Sequence, residues 1–245
     1  MTAVVTREQE MKHADWMAAA EEEYRRLAEV LASLAPEDWR APTDCSEWNV
    51  HQMVSHLVGA AESNARMREL VRIAWKGRSL RPGEPRIDAW NDVQVAERVD
   101  LTPEQLRHDL ADAGARGVRA RRRLPAPVRA LRMPFGPPLG FRSMGYLMDR
   151  IYTRDAWMHR IDICRATGRP LAVTDDHDGR LVADVVAEWS DAHRQPYRLT
   201  LTGPAGGEFD AGSDGEQITT DAVEFVRTLA GRARGTGLLA HTIPF

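Results

Sequence analysis

The 245-residue chain has little cysteine, almost no lysine and no long apolar run. Its two cysteines, Cys45 and Cys164, form no C-x-x-C pair and have no zinc-type spacing, which excludes a disulfide framework and fits a reducing compartment. No stretch of about 18 apolar residues occurs, so no membrane span is expected. The segment from Met1 to Arg7 lacks the charged start and apolar core of a secretory signal, and a cytoplasmic location is the expectation. A net charge of -3 gives no overall reason to expect nucleic acid or an acidic membrane as partner. Lys12 and Lys76 are the only lysines; the arginine-for-lysine usage reflects genome composition more than chemistry.

What is present is helical periodicity. The length suits one large domain or two small ones. Thr6 to Gln9 has capping-box form, and Trp16, Ala20, Tyr24, Leu27, Leu31 and Leu34 follow at spacings of three and four, which predicts a long amphipathic helix ending before Pro36. Ser46 is a good N-cap for a second helix reaching about Trp75, with Val50, Met53, Val54, Leu57, Val58 and Ala61 as its buried stripe. Residues 76–86 read as loop, and Ile87 to Val99 as a short helix with Trp90 and Val93 inward. Asn91 and Gln94 face either the bundle end or solvent. Thr102 and Pro103 open a third long helix to about Arg123. The prolines between Leu124 and Gly140 predict an irregular connection. A fourth long helix, Phe141 to Thr167, is stopped by Gly168 and Pro170. Beyond Leu171 a helix over 178–190, an alternating strand over 197–202, a partner strand over 208–210 and a helix over 220–231 are expected. The expectation is a mainly α protein: a four-helix bundle over 1–170 and a small α/β domain over 171–245.

Bundle cores build metal sites from facing helices. In the fourth helix Asp155 lies one turn from His159 and has Ile151, Tyr152 and Met158 as helical neighbours, so a carboxylate sits on an apolar stripe. A buried carboxylate without a partner is costly; it needs a cation, which His159 at i+4 is placed to share. His56 lies against the stripe of the second helix and reads either as a hydrogen-bonded core histidine or as a ligand, while His51 falls on another face. The cluster Arg116, Arg119, Arg121, Arg122 and Arg123 has no interleaved aromatics, so it is read as a solvated helix end or an edge that draws anionic substrates. Cys45 precedes a helix start, where thiolate is favoured, although a bystander thiol is the plainer account.

Taken together, Trp48-Asn49-Val50 followed by His56-Leu57, then Asp155-x-x-x-His159-x-x-Asp162 with Ala166-x-Gly168, resembles the DinB-like superfamily. Within it, the chain more closely resembles the mycothiol-dependent maleylpyruvate isomerase family, and the resemblance covers most of the chain. Leu229 to Arg232 is similar to the end of that family's sterol-carrier-like C-terminal domain. The resemblance implies a DinB-like bundle with a divalent metal held by His56, Asp155 and His159: zinc foremost, with nickel, iron or manganese as alternatives. It also implies mycothiol or a similar thiol as cofactor. Asp155 stands where the family isomerase has glutamate, so the metal should sit nearer the fourth helix or bind through water. Arg232 corresponds to an arginine with a catalytic role; its plainer account is a cation at a helix C-terminus.

Three protein ligands leave one position open for water or for a thiol held as thiolate. Addition of thiolate to an unsaturated acid, rotation and departure would isomerise it; departure of another group would give S-transfer. Tyr152 could donate a proton or simply pack. Asp162 could orient His159, though a surface pair with Arg165 is the simpler job. The implied protein is an enzyme with a small-molecule substrate, no nucleic-acid or membrane partner, and a monomeric or homodimeric state. Two histidines and a carboxylate also describe a non-haem iron or hydrolytic centre, and a non-catalytic ligand-binding protein stays open.

Overall fold

The structure, a computed structural model, describes residues 10–81 and 86–245. The expected capping box at Thr6 to Gln9 lies outside the described residues. The described residues divide into two compact units: His13–Leu171, and Ala172–Phe245 with residues 10–12. Among the described residues no helix is long and apolar enough to cross a membrane.

The first unit contains α1 (His13–Ala32), α2 (Val50–Ala65), α3 (Met67–Gly77), α4 (Arg86–Ala96), α5 (Pro103–Arg122), α6 (Ala126–Ala130), β1 (Arg132–Gly136), β2 (Gly140–Ser143) and α7 (Tyr152–Thr167). The bundle is α1, α2, α5 and α7, with α2 against α5, α5 against α1, and α7 touching both α1 and α2. Leu27, Leu31, Val50, Met53, Leu57, Leu106, Leu110 and Ile163 share one buried cluster. Each such side chain contributes roughly 2 kcal/mol of transfer free energy. The periodic apolar stripes of the sequence become this core. Thr102 caps α5 in a reciprocal box with Gln105, and Gly168 ends α7 at φ 66°.

Four expectations about the first unit need correction. The second helix is capped by Asn49 rather than Ser46, because Asn49 and Gln52 exchange side-chain to backbone hydrogen bonds of 3.0 and 2.9 Å. That helix also stops at Ala65. Arg66 turns extended, ends α2 through its own N–H on Glu62 O, and receives the first N–H groups of α3 on its carbonyl. The proline-rich stretch is likewise ordered. It forms α6 and an antiparallel hairpin pairing Arg132 with Ser143, with Pro134 tolerated because the ribbon has only two strands. Phe141 therefore belongs to a strand, and α7 is entered through a π-helical turn, Tyr146–Ile151.

In the second unit, α8 (Arg180–His193) and α9 (Ala222–Leu229) accompany β3 (Tyr197–Thr202), β4 (Gly207–Ala211) and β5 (Glu216–Asp221). The strand order is β4-β3-β5, antiparallel for the first pair and parallel for the second. Trp189, Leu199, Phe225 and Leu229 are buried. The strand β5 went unread in the sequence because Ile218 is its only buried residue. Asp221 ends it and caps α9 by accepting from the N–H groups of Val223 and Glu224.

Candidate metal centre

The middle of α2 and the first half of α7 bring His56, Asp155 and His159 together, with one ligand atom from each within 4.8 Å of the others. The Nε2 atoms of both histidines lie 3.3 Å from Asp155 carboxylate oxygens. The imidazoles are nearly perpendicular, with centroids 5.2 Å apart. In a tetrahedral zinc site with bonds of about 2.0–2.1 Å, ligand atoms stand roughly 3.3 Å from one another. Asp155 is thus long enough to meet both histidines from α7 despite having one methylene fewer than glutamate.

The partners of the other ring nitrogens fix which edge faces Asp155. His56 Nδ1 is 2.7 Å from Gln94 Oε1, and His159 Nδ1 is 3.1 Å from Asp162 Oδ2. Both oxygens accept, so both Nδ1 atoms donate, and each neutral ring turns the lone pair of Nε2 toward Asp155. Acceptors facing each other this closely require a proton or a cation between them. Burial opposes ionisation of Asp155, but its interactions with the two imidazoles outweigh burial and hold the carboxyl well below its usual range. Burial likewise opposes charging of His159, while Asp155 and then Asp162 push it up to about 9. Two Nε2 lone pairs and a carboxylate turned toward one point are the donor set a divalent ion fits.

The surroundings support that geometry. Trp48 stacks on the His56 ring at 4.9 Å and tilts over His159 at 5.8 Å. The histidine side chains are 6 and 5 % exposed and Asp155 is 20 % exposed, so the carboxylate marks the accessible side. Gln94 reaches His56 because Gly59 has no side chain: a methyl there would stand 2.5 Å from Gln94 Cγ. Arg98 holds the carbonyl of Gln94 at 2.8 Å and pairs with Glu62.

A match to the model of the mycothiol maleylpyruvate isomerase N-terminal domain covers residues 20–164, which include all three candidate ligands. The chain belongs to this family. Two solved structures, of the mycothiol-dependent maleylpyruvate isomerase and of a histidine-to-alanine mutant of it, share its fold with TM-scores of 0.60. They are 16 and 15 % identical to it, over 91 % of this chain and 90 % of theirs. No curated protein matches.

The remaining candidates of this family member fall in different places. Asp162 is fully buried on His159, while Arg165 pairs with Asp44 at 3.3 Å; burial on the inner face of α7 decides against the expected surface pair. Arg121 is not solvated. It is buried and donates to Thr153 Oγ1 at 2.7 Å and to Asp149 O at 3.3 Å, pinning the π-helical turn that leads into α7. Its neighbour Arg122 pairs outward with Glu21, as a helix end should. Tyr152 is half-buried one turn before Asp155; burial and then the Asp155 charge raise its hydroxyl above the phenol range, so it carries its proton at neutral pH. His51 bonds to Leu101 O at 2.8 Å, away from the ligands. Arg232 belongs to the second unit, just past α9, with its N–H on Arg227 O. Sequence reasoning missed the role of Trp48 beyond its place in a motif, and left Gln94 between two readings. The signal for Gln94 was its place beside Trp90 and Val93 on one face of α4.

Proposed function

We propose that this protein is a divalent-metal enzyme that works with a low-molecular-weight thiol of the mycothiol kind. Its reaction is isomerisation of an unsaturated acid, or transfer of the thiol sulfur to one. The observation that carries the metal assignment is the convergence of two tautomer-fixed Nε2 atoms on the Asp155 carboxylate at 3.3 Å. The thiol and the reaction are supported by membership of the family and by neighbours named mycothiol-dependent maleylpyruvate isomerase.

His56, Asp155 and His159 would hold the ion, and two imidazoles with a carboxylate suit zinc. Bound there, a divalent ion supplies the Lewis acidity that turns a thiol into thiolate near neutral pH. Gln94 and Asp162 keep the two imidazoles turned toward Asp155, and the Trp48 indole shields the His56 ring from water. Tyr152, protonated and one turn from Asp155, is the proton donor we assign to the carbon left after addition. The assignment of Arg232 to a substrate carboxylate rests on the family resemblance.

The test is turnover by zinc-loaded protein of cis-unsaturated oxo-dicarboxylic acids such as maleylpyruvate, with and without mycothiol, followed by NMR. Geometric isomerisation or thioether formation that requires both zinc and thiol is the expected result. Turnover independent of the thiol, or none across the acids by fully loaded protein, overturns the proposal.

A further inference from the structure

Cys45, His159 and Asp162 form a second cluster, with one donor atom from each within 4.8 Å of the others. Cys45 lies in the turn before α2, whose shape is set by the Trp48 N–H donating to Cys45 O at 2.8 Å and the Thr43 hydroxyl donating to Trp48 O at 2.7 Å. Asp162 is fully buried and His159 nearly so, whereas Cys45 is half-buried. The thiol is therefore the side from which an ion would arrive. His159 serves the two clusters with opposite edges: Nε2 faces Asp155, and Nδ1 faces Asp162 at 3.1 Å. The second cluster offers a thiolate, an imidazole and a carboxylate. The soft sulfur donor is what the first lacks, and thiolate ligands select soft ions.

We propose that Cys45 Sγ, His159 Nδ1 and the Asp162 carboxylate form a second metal site, selective for soft divalent ions such as cadmium. This site competes with the His56–Asp155–His159 centre for a single imidazole. Entry of the ion releases the Cys45 thiol proton and moves the single proton of the neutral His159 ring from Nδ1 to Nε2. The ring keeps one proton, now on Nε2, and so stops serving as a ligand beside Asp155. Holding both ions at once would require the ring to lose its one proton and bridge them as imidazolate. Occupancy of either site therefore weakens the other by the same factor. The proposal needs only the donor geometry and holds whatever reaction the first centre performs.

The test is a cadmium titration of the full-length, metal-free protein, read by the ultraviolet thiolate-to-cadmium charge-transfer band. The first centre contains no sulfur, so the band reports the second site alone. Wild type should give a saturable band equivalent to one thiolate per chain. Cys45→Ser and Cys45→Ala should both lack it, with melting curves checking that they fold. Cys164→Ser should keep it, since Cys164 is buried and belongs to neither donor cluster. His159→Ala should weaken cadmium binding by about tenfold or more, as expected for loss of a ligand or its orienting group. Prior loading with zinc should move the wild-type titration to higher cadmium. His56→Ala, which dismantles the first centre, should keep the band and lose the zinc competition, so that failure of either site is seen separately. Absence of the band in wild type, its survival in both Cys45 variants, or equal cadmium affinity in His159→Ala would overturn the proposal.

Discussion

Gly59→Ala tests whether the orientation of His56 depends on α4. The new methyl would stand 2.5 Å from Gln94 Cγ, 2.6 Å from its Cβ and 3.1 Å from Arg98 Nη1. Carbon atoms do not approach that closely, so Gln94 must move outward by about an ångström. Its Oε1 now accepts from His56 Nδ1 at 2.7 Å, and such a shift carries it beyond hydrogen-bond range. Losing an outer partner of a metal-bound histidine costs about 10–100-fold in metal affinity, or about 1.4–2.7 kcal/mol. Stability should change less. Alanine gains roughly 1 kcal/mol of helix propensity over glycine, against an overpacking cost of about 1–3 kcal/mol. Zinc affinity by chelator competition should fall while the melting point of metal-free protein moves only a few degrees. Gln94→Leu should reproduce the loss, and Gln94→Glu, which keeps an acceptor, should retain most of the affinity. Unchanged affinity in both Gly59→Ala and Gln94→Leu would refute the claim that Gln94 fixes His56.

Asp162→Asn removes the charged acceptor from His159 Nδ1, and zinc affinity should drop by about tenfold in the same assay; full retention would show that Asp162 does not orient the ring. Arg160 and Glu23 pair where both are essentially unexposed. Arg160→Met should therefore destabilise the protein by about 3–5 kcal/mol in urea denaturation, with much of that recovered in Arg160→Met/Glu23→Gln; a loss within error would contradict the buried pair. Arg72, with burial opposing and Lys76 assisting, holds Glu97 down to about 2. Its folded pKa lies below the unfolded value, so its stabilisation is complete above about pH 5 and disappears as pH falls toward 2. These side chains are partly exposed, so screening limits the effect to below about 1 kcal/mol. Glu97→Gln should melt slightly lower than wild type at pH 7, with the gap closing in acid; a gap independent of pH would refute the pairing.

The bundle was legible because its helices follow their apolar stripes: Leu27 and Leu31 on α1, Val50 to Leu57 on α2, and Leu106 and Leu110 on α5 meet in one core. The Asp155–His159 pair was visible as a single helical turn. His56 gained its meaning from the family resemblance, because nothing in α2 alone separates a ligand from a core histidine. Features that depend on how elements dock were not legible. The requirement for glycine at residue 59 appears only once α4 carries Gln94 to its face. Asp162 lies three residues from both His159 and Arg165, so spacing could not choose between them; burial did. Arg121 looked like one cation of a solvated cluster, but a backbone carbonyl and the Thr153 hydroxyl receive it inside the bundle. The hairpin over 132–143 was hidden by prolines, which exclude helix yet leave a two-stranded ribbon allowed.

Metal content is the most direct test of the central claim. The full chain would be purified without a metal-affinity tag, saturated with zinc, desalted and quantified by mass spectrometry beside His56→Ala and His159→Ala. Close to one tightly held ion per wild-type chain, and little in either variant, is the predicted result. A wild type that retains no zinc, or two variants that retain it as well as wild type does, would contradict the account.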